Sequence, residues 1–252
     1  MRQIFVGSIQ RSELYTQINK ILLPTRLVLM GTLVLLILIP VCFADKLFDA
    51  NGDYSNVVLV RTSSGIGSAV YVGNQYLLTA AHVVADMTVG GRCQVEFQNP
   101  NVSPAEILPM EAELITMGKF LPGKDFEEDY ALLKILYLDA SKLATPCALG
   151  TTSNVKTNDN VLAEGYPNGY YSTTNGTINN INGGLTNSSK ILVVDAKAWG
   201  GNSGGALKDA NTDQLLGIVT MGGTAVGKTD GQTFVLKIDD IRRNLTQYGL
   251  PF

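Results

Sequence analysis

The stretch "DAKAWGGNSGGALKDA", residues 195–210, sets Ser203 between Gly201 and the pair Gly204 and Gly205. It satisfies G-x-S-x-G literally. Two unrelated architectures present a reactive serine in such a setting: a sharp strand-to-helix elbow on a parallel sheet, or a glycine-rich loop between antiparallel strands. The position of the histidine decides between them. A serine hydroxyl is a poor nucleophile near neutral pH and is usually activated by an imidazole. The chain contains one histidine, His82, and it lies far upstream of Ser203. Elbow enzymes run in the order serine, acid, histidine, and their parallel sheets need long crossover helices between strands. The sequence shows neither feature, so the loop reading stands.

Working outward from this loop, residues beyond 55 fall into short β-rich runs separated by Gly, Asn, Asp and Pro turns. The main runs are "NVVLVRT", "SAVYVG", "QYLLTA", "CQVEFQ", "AELITMG", "YALLKIL", "NVLAEGY", "GTINNI", "KILVVDA", "QLLGIVTM" and "TFVLKI". Such a series predicts an all-β fold, as barrels or a sandwich. Loops are expected at "QNPNVSPAEILP" (98–109) and "GKDFEEDY" (123–130), with loop and hairpin at "NGTINNINGGLTNSS" (175–189). Only the C-terminus has helical spacing, with Ile238, Ile241, Leu245 and Tyr248 recurring after Asp239 as N-cap and Gly249 as a stop.

The N-terminus reads differently. Residues 27–44, "LVLMGTLVLLILIPVCFA", carry no charge. The run is close to a spanning helix in length and slightly long for a signal-peptide core. Arg2, Arg11, Lys20 and Arg26 precede it against Glu13 alone, and Asp45, Asp49 and Asp53 follow. The positive-inside bias then places residues 1–26 in the cytoplasm as a basic leader and everything past 44 outside it. The run serves as an uncleaved signal anchor, the favoured reading, or as a signal peptide cut after Ala44. Residues 45–55 form a linker.

About 200 residues remain for the folded part, enough for one large or two small β domains. A net charge of -3 with no basic patch argues against a nucleic-acid partner. Cys42 lies in the apolar run, so Cys93 and Cys147 are the folded part's cysteines, read as buried thiols with one disulfide as the alternative. Metal-ligand types are too scattered for a metal site, and an imidazole-activated serine needs no cofactor.

Three segments carry a family resemblance. "YLLTAAHVVADM" (76–87), "DYALLKI" (129–135) and "VVDAKAWGGNSGGAL" (193–207) together resemble the chymotrypsin-like (trypsin-like) serine peptidases. They are most similar to the cysteine-poor bacterial branch of HtrA-type protease domains. The resemblance runs over residues 56–248. It implies two packed antiparallel six-stranded β-barrels, 56–145 and 146–238, with a C-terminal helix and tail at 239–252 and the site at the barrel interface. It further implies His82 as the base, Asp129 as the acid orienting it, Ser203 as the nucleophile, and the N–H groups of Gly201 and Ser203 as the oxyanion hole. Asp86 and Asp195 are rivals for the acid by position, but Asp86, one turn past His82, is expected to point away from it, and Asp195 falls in a motif whose role in the resembled family is strand and pocket wall.

By spacing, Lys197, with Ala198 beside it, takes the position that in the resembled family often lies at the base of the specificity pocket; acidic residues are expected there if Lys197 points in and small or medium apolar ones, the favoured reading, if it turns outward. Thr220, Met221 and Gly222 are expected to line the cleft, where substrate backbone adds as a strand.

The chain departs from the family in places. Asn202 stands where trypsin-like zymogens have the aspartate that pairs with a new N-terminus, and Val83 replaces the cysteine common after the histidine. The chain ends at Phe252, so the PDZ domain usual in the HtrA branch is not expected. The implied activity is hydrolysis of peptide bonds in exported polypeptides. A silent peptide-binding relative and a serine esterase are the alternatives.

Overall fold

The computed structural model describes residues 54–102, 105–120, 126–137, 139–183, 188–222 and 231–249. The expectations for the leader, the apolar run and most of the linker lie outside the described residues. Among those described, no helix is long and apolar enough to cross a membrane.

Six antiparallel strands close the first barrel: β1 (Val57–Thr62), β2 (Gly65–Gly73), β3 (Tyr76–Thr79), β4 (Arg92–Asn99), β5 (Glu106–Met117) and β6 (Ala131–Ile135), in the order β1-β2-β3-β6-β5-β4. The second comprises β7 (Asn160–Gly165), β8 (Ser172–Asn180), β9 (Ile191–Val194), β10 (Ala206–Asp209), β11 (Leu215–Gly222) and β12 (Thr233–Lys237), in the order β10-β11-β12-β9-β8-β7. A helix α1 (Ile238–Leu245) follows β12 directly.

The apolar runs are denser than simple alternation because β1 is covered on both faces. Val57 and Leu59 join a core cluster that links the two barrels and includes Ile218, Leu236, Ile241 and Leu245. Val58 and Val60, equally buried, alternate to the other face. A second cluster, with Val161, Leu192, Val194, Leu207 and Val235, fills the second barrel.

Two local expectations are corrected, for β5 and for Asp239, and one strand, β10, is absent from the main apolar runs. β5 begins at Glu106, inside the stretch read as loop, and runs through Pro109. Pro109 pairs with Glu96 of β4, while pairing to β6 starts only at Ala112, so the proline sits where the strand is laddered on one side. β10 was hidden by Lys208 and Asp209, which break its apolar pattern. Asp239 is not the N-cap. Lys237 holds that position without a side-chain cap bond, and the Asp239 carboxylate accepts from Thr152 N (2.6 Å) and Thr152 Oγ1 (2.6 Å), fastening the helix to the loop before β7.

Lys208 explains how a charge fits inside β10. Its side chain is 4% exposed and donates to Glu164 Oε2 (2.9 Å), Asp213 Oδ1 (3.3 Å) and, across the barrel boundary, Asn56 Oδ1 (3.2 Å). Burial alone would lower its pKa, but Cys147, Glu164 and Asp213 outweigh that and hold it above the ordinary lysine value. Cys93 and Cys147 are free and buried, and burial pushes their thiols up to about 11 and about 12.

Candidate active site

The β3–β6 pairing sets the base beside the acid. Thr79 is opposite Ala131, so the short 3-10 turn Ala81–Val84 after β3 and the residues just before β6 emerge together. His82 lies on that turn and Asp129 in that approach. His82 donates its backbone N–H to Asp129 Oδ1 at 2.9 Å, and its Nδ1 meets Asp129 Oδ2 at 2.8 Å. Asp129 has no exposed surface, whereas the histidine side chain is 26% exposed. A buried carboxylate on Nδ1 fixes the imidazole tautomer and leaves Nε2 for chemistry. Phe120 covers the ring with centroids 5.3 Å apart, and Phe126 backs Phe120.

The rival acids are engaged elsewhere. Asp86 accepts from the Ser63 hydroxyl and from Ser64 N, and the Ser63 bond holds its carboxyl below the ordinary aspartate value. Asp195 binds Thr177 through backbone and hydroxyl.

The serine loop closes on both barrels. Ser68 N on β2 donates to Ser203 O at 2.7 Å, and Gly204 N donates to Val219 O on β11 at 2.7 Å. Two glycines are required by this closeness. Gly201 has φ +102° and faces Tyr166 O, and Gly204 has φ +81° and lies against Ser68 O and Thr79 Oγ1, so a Cβ at either would collide with its neighbour. Among the described residues, neither Gly201 N–H nor Ser203 N–H donates to a protein acceptor, while the N–H between them, of Asn202, is taken by Trp199 O at 3.0 Å. Both hydrogen bonds of His82 run to Asp129, and Ser203 Oγ joins none among the described residues. Links between base and nucleophile commonly tighten only when substrate is bound.

The pocket residues separate by orientation. Lys197 is exposed, and its carbonyl accepts from Thr174 Oγ1 at 2.9 Å. Ala198 is buried in the second-barrel cluster. Thr220 is buried and its hydroxyl donates to Phe234 O, so only its backbone is available to a cleft. Met221 packs on the inter-barrel cluster, and Gly222 pairs with Thr233. β10 pairs with β11 only as far as Ile218, so among the described residues Thr220 to Gly222 sit on a strand laddered by β12 alone. Among the described residues there is no cluster of His, Cys, Asp and Glu able to hold a metal.

Sequence reasoning missed two residues that organise this loop, Ser68 and Tyr166. Tyr166 is buried, with its hydroxyl donating to Val57 O at 3.1 Å and its N–H to Ser68 Oγ at 2.9 Å. A serine heading the otherwise apolar run "SAVYV" was the available signal.

Residues 67–218 match the trypsin-like peptidase domain family, and the chain belongs to that family. Within it, this is a domain of the HtrA type of serine peptidase. It is 31% identical over 180 residues to a probable periplasmic serine endoprotease, DegP-like, of Pseudomonas fulva (strain 12-X), covering 70% of this chain and 33% of that protein. The chain thus spans about a third of that relative's length. Among solved structures it is similar to the HtrA-type protease AlgW with tripeptide, at 26% identity and a TM-score of 0.58, covering 81% of this chain and 64% of that one. Deg5, at 23% identity, has the same fold with a TM-score of 0.57 over 82% of this chain and 95% of its own.

Proposed function

We propose that the protein is a serine endopeptidase that hydrolyses peptide bonds in exported polypeptides. The observation that carries this reading is the doubly hydrogen-bonded His82–Asp129 pair, its carboxylate fully buried, together with a glycine-rich Ser203 loop whose Gly201 and Ser203 N–H groups have no protein acceptor among the described residues. In this reading Ser203 attacks the scissile carbonyl while His82 takes its proton and returns it to the leaving amine. Asp129 holds the tautomer and stabilises the imidazolium, and the Gly201 and Ser203 N–H groups receive the oxyanion. Water, activated by His82 in turn, releases the acyl-enzyme.

Substrate backbone adds beside Thr220, Met221 and Gly222, a reading supported by their one-sided pairing. Exposed Lys197 and buried Ala198 favour small or medium apolar residues before the scissile bond. In this reading residues 56–145 and 146–238 form the two barrels, and 239–252 the C-terminal helix and tail. Export rests on the charge asymmetry about residues 27–44 and on the periplasmic description of the DegP-like relative. The segment is an anchor or is cleaved after Ala44.

The test is digestion of a diverse peptide library by the full-length protein, with the Ser203→Ala protein as blank and cleavage sites read by mass spectrometry. Serine-dependent cuts are expected, and their flanking residues report the pocket. An absence of cuts above the blank, with small esters or bound peptides as the positive signal, turns the reading to an esterase or a binding module.

A further inference from the structure

Ser68 has no exposed surface, and every polar atom it carries is engaged. Its N–H donates to Ser203 O (2.7 Å), its carbonyl accepts from Thr79 Oγ1 (2.7 Å), its hydroxyl accepts from Tyr166 N (2.9 Å), and the single hydroxyl proton goes to Gly201 O (2.7 Å). The residue belongs to the barrel that carries His82 and Asp129, yet three of these four bonds end in the other barrel or on its serine loop.

The consequence follows from peptide geometry. In a trans peptide the carbonyl and the N–H point in opposite directions, so a held carbonyl fixes where the N–H aims. The plane carrying Gly201 N–H is held at Gly200 O by Asn168 N (3.0 Å), and the plane carrying Ser203 N–H is held at Asn202 O by Gly205 N (2.9 Å). Between them lies the Gly201–Asn202 plane. Its N–H is bound to Trp199 O, and its carbonyl is bound to Ser68 Oγ. Gly201 has no Cβ to restrict φ and ψ, so this central plane is less constrained by its own backbone than one between two residues with side chains. Ser68 also steers the first plane, because the Tyr166 N–H it accepts stands directly before the Pro167–Gly169 turn that supplies Asn168.

We propose that Ser68 is a positioning residue for the oxyanion site: its hydroxyl, buried in the first barrel, clamps the Gly201–Asn202 peptide so that the N–H groups of Gly201 and Ser203 stay turned to the cleft. This rests on the reading of those two groups as the oxyanion donors. Ser68 touches no substrate. It acts through the loop, and a loop displaced by even about 1 Å can lose two orders of magnitude in rate.

The experiment compares Ser68→Ala and Ser68→Cys with the wild-type full-length protein on a peptide substrate. Thermal unfolding is measured alongside to show that each variant is folded. Expected is a fall in kcat of about 10- to 100-fold, below or within the loss from deleting an oxyanion donor outright, with KM changed by less than about twofold because ground-state binding does not use the oxyanion. Affinity for a peptide boronate, whose tetrahedral adduct uses the same N–H groups, falls in step with kcat. Ser68→Cys keeps the side-chain shape and weakens both hydroxyl bonds, so it gives the answer if the alanine variant does not fold.

Unchanged kcat and boronate affinity in a folded variant, with only the melting temperature lowered, overturns the proposal. If the wild-type protein shows no Ser203-dependent turnover, the functional reading fails instead. The crystal structure of the variant then decides about Ser68: a Gly201 carbonyl turned from its wild-type direction supports the clamp, and an unmoved one overturns it.

Discussion

Two buried carboxylate–nitrogen pairs, His82–Asp129 in the first barrel and Lys208–Glu164 in the second, are finished differently. In the first, Asp129 takes two hydrogen bonds from His82, whose Nε2 has no hydrogen-bond partner among the described residues and whose side chain is 26% exposed. In the second, Lys208 divides its three ammonium protons among Glu164, Asp213 and Asn56 and is 4% exposed. Both arrangements answer the desolvation of charge. Only the first leaves a valence directed outward, and that residual capacity separates a chemical site from a structural joint.

The comparison is broken most directly at the open pair. Ser203→Ala should lower kcat by about 10⁶, and Asp129→Asn by about 10⁴, because the amide favours the wrong imidazole tautomer. Peptide hydrolysis measured beside thermal melting checks both, and the melting temperature should move little for Ser203→Ala. An Asp129→Asn enzyme with wild-type kcat would remove the reason for treating the pairs as different in kind.

Lys208→Met should do the reverse. Stability should drop by about 3 kcal/mol, since Glu164 is left buried without its cation, while kcat of the folded protein changes by less than about threefold. Urea midpoints and turnover on the same samples separate the two effects. The pH dependence has a definite sign. Because the folded-state pKa of Lys208 lies above the ordinary 10.5, its stabilisation is fully present below 10.5 and is lost as pH rises through the folded value. Wild type should therefore lose its advantage over Lys208→Met only in strong alkali.

The smallest expected effect is at Asp239. Burial raises its carboxyl, but the stronger combined pull of the Thr152 and Thr151 hydrogen bonds leaves it below the ordinary 3.8. Its contribution is thus present above 3.8 and lost as pH falls through the lower folded value. Asp239→Ala should cost about 1 kcal/mol or less, given the partial exposure of the group. Urea melts at pH 7 and pH 3 should show the difference shrinking in acid.

Much of this was legible in the sequence, for physical reasons that differ by element. Strands such as "NVVLVRT" and "KILVVDA" declare themselves because burial on both faces concentrates β-branched residues. β10 did not, because Lys208 is tolerated only by partners that the fold brings from elsewhere in the chain. Pro109 disguised the first part of β5, since its cost depends on which side of the strand is laddered. The candidates His82, Asp129 and Ser203 came from short motifs whose order excluded the elbow architecture, and the structure joins His82 to Asp129. Ser68 was not, because nothing in its neighbourhood records a hydroxyl bond to a carbonyl 133 positions away.

That separation bears on how the molecule assembles. Contacts between distant parts of a chain must overcome loop-closure entropy before they reward it, and all-β topologies rich in them fold slowly. The strands of the first barrel can find one another while the second is still unformed, but the Ser68–Gly201 bond needs both. The anchoring of the serine loop through Ser68 therefore waits for both barrels. On the proposed reading, a chain with only the first barrel formed would hold His82 beside Asp129 without an ordered Ser203 loop, so peptide cleavage would wait until both barrels had assembled.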